Sequence, residues 1–541
     1  MAELIAPAEF IQLVDRNIEK VFNAGLQEAL WNHDLGVWGD YDDVAKKSIS
    51  TRLGWLETPK SFREKVGELS AFASKIRDAG FTHAAVLGMG GSSLSVEVLR
   101  DVFGSNAGYP QMHVLDSTHP DQILHLEQQL DLMHTLFIVS SKSGSTLEPN
   151  CYFDYLWDRV QSVSGSTTAS QFVAITDEAS DLAKLGAERG FRRIFINPSD
   201  IGGRFSVLSY FGLLPAALMG IDVGALLDQA QEEAANSHLQ SDANESVRFG
   251  AILGAAQSIG RDKLTILASP SLSSYGYWAE QLIAESTGKL GKGILPVEGE
   301  GVLPLPNYGA DRLFVTLLLE GETVDTSSLP GPSIVYHLAS KFELGGQFFR
   351  WEFATAVAGW LMGINPFDEP NVAESKANTN RVLAGQDASP TMQFAIGEPW
   401  RDPVASNIQV EAFLEKYLKA GKYITVMAYV DRNEESVEIL DNFRRRLESR
   451  YSVATTVGFG PRFLHSTGQF HKGGPDEGVY IQITDIPDND LAIPGKPFTF
   501  GRLIAAQAEG DRESLLSRGK PFMELQLGKS GVNTLRVNPK T

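Results

Sequence analysis

From about residue 82 the chain alternates short apolar runs with helically spaced stretches, and that alternation limits the fold more than any other feature. Runs at 82–87, 113–116, 135–139, 172–176 and 193–196 read as short strands, the kind that parallel sheets bury on both faces. Helical segments separate them, one running to residue 130 and another over 181–188. Strands that alternate with helices need right-handed crossovers, and so a parallel, doubly wound sheet. The pattern resumes near 245, with strands at 264–268, 313–319 and 334–337 and an apolar helix at 348–363. Beyond 405 come a helix at 409–419, a strand at 424–430, a charged helix at 433–450 and strands at 454–458 and 479–484. A surface loop over 485–497, a helix at 499–517 and a strand at 522–527 complete the series. Residues 1–75 read as helical, with Trp31, Trp38 and Trp55 as packing residues. The expected organisation is a helical segment 1–75, an α/β domain 76–240, and a second α/β domain 241–541 with a C-terminal extension.

Composition narrows the function. The 541 residues carry a formal net charge of −20, which argues against nucleic acid or an anionic membrane as partner. The single cysteine, Cys151, rules out an intramolecular disulfide and a cysteine-rich zinc site. The N-terminus has no basic region followed by an apolar run, and the longest apolar stretch, 353–364, is shorter than the roughly 20 residues of a membrane span. A cytoplasmic protein is expected.

Doubly wound sheets bind ligands beyond the carboxyl ends of their strands. Two loops there carry chemistry. Gly88-Met-Gly-Gly-Ser-Ser93 follows the first strand; its spacing is not the dinucleotide fingerprint, because Ser93 stands where the third glycine is needed. Ser140-Ser-Lys-Ser-Gly-Ser-Thr-Leu-Glu-Pro149 follows the third and leads into a helix. Hydroxyls and backbone N–H groups at a helix N-terminus suit a phosphate monoester; the same residues read equally as a polar turn with an N-cap.

Four further places stand out. Gly202-Gly-Arg204 presents a guanidinium on a tight turn. Gln281 and Glu285 lie four apart on one helix face, followed by Ser-Thr-Gly-Lys. Lys376 sits in a helix restarted after Asn365-Pro-Phe-Asp-Glu-Pro. His465-Ser-Thr-Gly-Gln469 lies in a glycine-rich loop, with His471 six residues on. Taken singly, each reads as readily as an ordinary turn, surface or loop residue.

Together, and in this order, Gly-Met-Gly-Gly-Ser-Ser, Ser-Lys-Ser-Gly-Ser-Thr-Leu-Glu, Gly-Gly-Arg-Phe-Ser-Val-Leu-Ser, Gln281…Glu285-Ser-Thr-Gly-Lys and Lys376 resemble the phosphoglucose isomerase family over about 80–380. The sequence looks closest to the isomerase part of transaldolase–phosphoglucose isomerase fusions; no (β/α)₈ barrel precedes it, so transaldolase activity is not implied. The resemblance implies two sugar-isomerase-type α/β domains and an aldose–ketose isomerase acting on glucose 6-phosphate and fructose 6-phosphate. It implies that Ser92, Ser141, Ser143 and Thr146, with Lys142 nearby, hold the phosphate, and that Gly91 permits close backbone approach. Arg204 would stabilise enediolate charge, Gln281 contact the sugar, Glu285 shuttle the proton, and Lys376 assist at the ring oxygen. No metal or cofactor is needed, because Arg204 is the cation and Glu285 the proton carrier. A homodimer is the assembly the family implies.

Two departures stand out. The family's ring-opening histidine precedes the lysine in chain order, and the histidine in that interval here is His337. The segment Phe463-Leu-His465-Ser-Thr-Gly-Gln469 nevertheless looks like the family's histidine block, placed after the lysine; His465 is then the ring-opening residue and His337 the alternative. Glu369 stands where the family commonly has Gln. Two other readings share these motifs: a non-catalytic sugar-phosphate sensor, and an isomerase of mannose or amino-sugar phosphates.

Overall fold

The computed structural model describes residues 2–39, 41–241, 243–303, 307–385, 403–527 and 531–535. The chain begins with a short strand, β1 (Glu3–Ile5), and then runs through helices to Asp78. The first sheet contains β2 (His83–Leu87), β3 (Gln111–Leu115), β4 (Thr135–Ser140), β5 (Phe172–Asp177) and β6 (Arg193–Asn197), all parallel, in the order β3-β2-β4-β5-β6. All six residues of β4 are buried, as the unbroken apolar run requires of a central parallel strand. Successive strands are added to one side of β2 and then, from β4 onward, to the other. The switch point of the sheet therefore lies between β2 and β4, and both chemistry-bearing loops leave from there.

The second sheet contains β7 (Lys263–Ala268), β8 (Leu295–Val297), β9 (Arg312–Leu319) and β10 (Ser333–Leu338), in the order β1-β10-β9-β7-β8. Its strands are parallel except β1, which pairs antiparallel with the β10 edge, Leu4 opposite Ile334. The helical reading of residues 1–75 therefore fails at the first few residues: three residues carry no periodicity, and the open edge of β10 decides their conformation.

β11 (Tyr423–Tyr429), β12 (Thr455–Phe459), β13 (Gly478–Thr484) and β14 (Phe522–Gln526) form a third parallel sheet, in the order β12-β11-β13-β14. The stretch expected as an extension of the second domain thus builds its own sheet, over an apolar core that includes Leu414, Ile424, Val426, Leu440, Ile481 and Leu525. The α/β class with mainly parallel sheets holds throughout.

The first two sheets share one core. Val86 and Ile138 of the first and Leu264 and Val315 of the second belong to a single buried cluster with Trp55 and Phe205. Trp55 is fully buried and stacks on Phe205 at 5.4 Å, while the Gly54 N–H donates to the Asp200 carbonyl at 3.0 Å. The N-terminal helical segment thereby backs the turn that carries Arg204. Among the described residues no helix is long and apolar enough to cross a membrane.

Candidate active site

The hydroxyl-rich loop is held from within. The Ser141 hydroxyl donates to Thr146 Oγ1 at 3.3 Å and accepts the Gly144 N–H at 3.2 Å; the Ser143 and Ser145 hydroxyls are 2.9 Å apart. Ser140 Oγ donates to the Ser92 carbonyl at 3.1 Å and stitches this loop to the glycine loop beside it. Thr146 is the residue before helix Leu147–Ser164, and its hydroxyl does not cap that helix. The positive end of an 18-residue helix therefore faces the loop.

Lys142 departs from expectation. Its ammonium pairs with Asp177 at the end of β5 and donates to the Ser199 carbonyl at 2.8 Å, so its charge is already matched by a carboxylate.

The glycine loop allows convergence of protein with protein. A Cβ on Gly91 would lie 2.0 Å from the Gly203 carbonyl oxygen, so the close approach at Gly91 is to the Arg204 turn. Gly90 has φ +54°, and a Cβ there would come within 2.9 Å of both Gln281 Nε2 and the His465 Cβ. Two bare backbone positions thus let three distant segments meet beside the hydroxyl-rich loop.

Arg204 is buried and saturated with partners. Nε donates to Ser286 Oγ at 2.8 Å, and Nη2 to the carbonyls of Pro366 and Asp368 at 2.8 and 3.0 Å. Nη1 lies 3.1 Å from Glu369 Oε2 and 3.3 Å from Glu285 Oε1. Gln281 and Glu285 lie one turn apart on helix Tyr275–Thr287, both buried, and Gln281 Nε2 donates to Glu285 Oε2 at 3.1 Å and to the His465 carbonyl at 2.8 Å. Burial pushes the Glu285 carboxyl above the ordinary range; Arg204 opposes that push, Glu369 adds to it, and the net shift is upward. A carboxyl so placed holds a proton more readily than an ordinary glutamate, as a group that takes and returns protons must.

The turn after Glu285 ties the remaining segments together. Lys289 donates to the carbonyls of Asn365 and Asp368 at 2.8 and 2.5 Å and to the Asp368 carboxylate at 2.7 Å. Burial, with Arg204 adding to it, pulls this ammonium down to about 8. The Gly288 carbonyl accepts from Gln469 Nε2 at 2.9 Å, and the same amide nitrogen donates to Asn371 Oδ1 at 2.8 Å. Asn371 precedes helix Val372–Leu383, which carries Lys376; the Lys376 side chain lies outside the described residues.

His465 closes the turn Arg462–His465 after β12, and its Nε2 lies 3.2 Å from Glu148 Oε1. Glu148 sits in the first turn of the helix that follows the hydroxyl loop, and Gln507 Nε2 donates to the same oxygen at 2.8 Å. The histidine block thus arrives beside Glu148 and Gln281 although it follows the Lys376 helix in the chain. His337 points elsewhere: it is exposed on β10 and lines a polar cleft with Glu232, Glu343 and Arg350. Sequence reasoning assigns no role to Glu148, Ser286, Lys289 and Gln507. Glu148, Ser286 and Lys289 lie inside motifs already recognised, one helical turn or less from assigned residues; Gln507 has no such signal.

The chain is similar to known proteins in sequence and in fold. A model of the family described as phosphoglucose isomerase matches residues 46–290. A glucose-6-phosphate isomerase of Heliobacterium modesticaldum is 30% identical over 392 residues, covering 61% of this chain and 87% of the relative. One from Clostridioides difficile is 28% identical over 427 residues, covering 66% and 94%. Among solved structures, a hypothetical protein from Thermus thermophilus aligns with TM-score 0.58 at 24% identity, over 71% of this chain and 100% of that one. A glucose-6-phosphate isomerase from Chlamydia trachomatis aligns with TM-score 0.51 at 18% identity, over 65% and 76%; both show the shared fold. By its sequence, the chain belongs to the phosphoglucose isomerase family.

Proposed function

We propose that this crevice interconverts glucose 6-phosphate and fructose 6-phosphate through a cis-enediol intermediate. The observation that carries the reading is the buried Glu285 carboxyl, 3.3 Å from the Arg204 guanidinium, in a crevice whose other side offers hydroxyls and a helix N-terminus. The names of the curated relatives support the same pair of sugars.

The phosphate sits against Ser141, Ser143, Thr146 and Ser92, with the helix dipole in place of the cation that Lys142 does not supply. His465, held in place by Glu148, gives a proton to the ring oxygen, and Lys376 assists as the sugar opens. Glu285 removes the proton from C2; the C–H electron pair forms the C1–C2 double bond and charge moves to the carbonyl oxygen. Arg204 meets that charge through Nη1, which gives up a carboxylate contact, while Nε and Nη2 stay fixed by Ser286, Pro366 and Asp368. The C2 hydroxyl proton passes to the C1 oxygen, which becomes the C1 hydroxyl; C2 becomes the carbonyl, and Glu285 returns its proton to C1. Glycolysis, a cytoplasmic setting and a homodimer belong to this reading.

The test is a coupled assay for fructose 6-phosphate formed from glucose 6-phosphate, with mannose 6-phosphate as comparison. Turnover of the glucose compound is expected; no turnover overturns the reading, and a preference for the mannose compound changes its substrate.

A further inference from the structure

Glu369 occupies a position that electrostatics makes consequential. It lies just beyond the helix stop at Asn365-Pro366, and its carboxylate, 36% exposed, faces the same guanidinium nitrogen as Glu285. A single Nη1 is thus shared by two carboxylates, at 3.1 Å and 3.3 Å, while the other guanidinium nitrogens are committed to Ser286 and to two carbonyls. Arg204 cannot turn fully toward either acid.

We propose that Glu369 is a tuning residue for Glu285: by competing for Arg204 Nη1 and adding a negative charge beside it, Glu369 makes Glu285 hold its proton more tightly. This rests on the reading of Glu285 as the proton carrier. The charged and polar groups that face Glu285 are Arg204 from the turn after β6, Glu369 from the loop after the apolar helix, His465 from the turn after β12, and Gln281 from its own helix. Those that act on Glu369 are Arg204, Arg52 from the N-terminal segment and Lys289. The two acids shift in opposite directions, Glu285 upward and Glu369 downward, so Glu369 is the member that stays charged. Glu285 works as a carboxylate when it takes a proton from carbon, so activity rises as pH climbs through its proton-release range. Without the charge of Glu369, Arg204 acts on Glu285 alone and that range moves down.

The experiment compares kcat/KM against pH for the native chain, Glu369→Gln and Glu369→Asp, with the protonated-carboxyl infrared band of Glu285, identified by its loss in Glu285→Gln, titrated in parallel. Glu369→Gln, nearly isosteric and neutral, should move the acid limb and the infrared titration down by roughly half to one pH unit. Glu369→Asp, which keeps the charge, should move both less. Unmoved titrations in Glu369→Gln, or equal shifts in both variants, overturn the proposal. If Glu285 titrates as stated while no variant isomerises sugar phosphates, the tuning stands and the catalytic reading falls.

Discussion

The two ends of the proposed site are built in opposite ways. The proposed phosphate end is mostly local: apart from Ser92 of the glycine loop, its hydroxyls at 141, 143, 145 and 146 and the helix they precede come from one stretch of chain, and their mutual hydrogen bonds are short-range. The reacting end is assembled from distant segments. Arg204, Glu285, Glu369 and His465 lie on four elements, and Gly90, Gly91, Gln281, Lys289 and Gln469 fasten them to one another. A local site tolerates rearrangement of the rest of the chain, whereas an assembled one depends only on where segments arrive in space. That is why a histidine block placed after the Lys376 helix still lands beside Gln281.

This contrast yields graded predictions. The largest effect belongs to Glu285→Gln, which should lower kcat by about 10²–10⁴-fold while phosphosugar affinity, measured by calorimetry, stays near native. His465→Ala should cost roughly 10²-fold with the cyclic sugar and much less with an open-chain substrate; the same selective loss in His337→Ala instead would move ring opening to the far edge of the second sheet and sink the His465 assignment. At the phosphate end, Ser141→Ala with Thr146→Val should raise KM by about 10²-fold with kcat little changed, since two hydrogen bonds to a charged group, at the lower end of about 1.5–3 kcal/mol each, are lost while the helix dipole remains. Gly91→Ala tests the fastening itself. The new methyl meets the Gly203 carbonyl, so a stability loss of about 1–3 kcal/mol in urea melts should accompany reduced kcat.

The same contrast explains what can be read from the sequence. β4 is legible because four consecutive buried residues, Leu136 to Val139, leave an unbroken apolar run, and the hydroxyl loop because its residues are adjacent. Arg204, Gln281 and Glu285 are legible as motifs, but their shared contacts are not, because a sequence does not show which carboxylates a guanidinium will meet. Lys142 stands among the hydroxyls in sequence, yet Asp177 on a neighbouring strand claims it. β1 carries no signal of its own, since its conformation comes from the β10 edge. The third sheet is visible strand by strand, but its separateness rests on which strands pair, and apolar runs do not specify pairing.

The most direct test of this division is steady-state kinetics of Glu285→Gln beside the Ser141→Ala, Thr146→Val double variant, with glucose 6-phosphate as substrate. The account predicts that the first loses kcat at nearly native KM and the second loses KM at nearly native kcat. Loss of both constants together in both variants, or near-native kcat in Glu285→Gln, would contradict it.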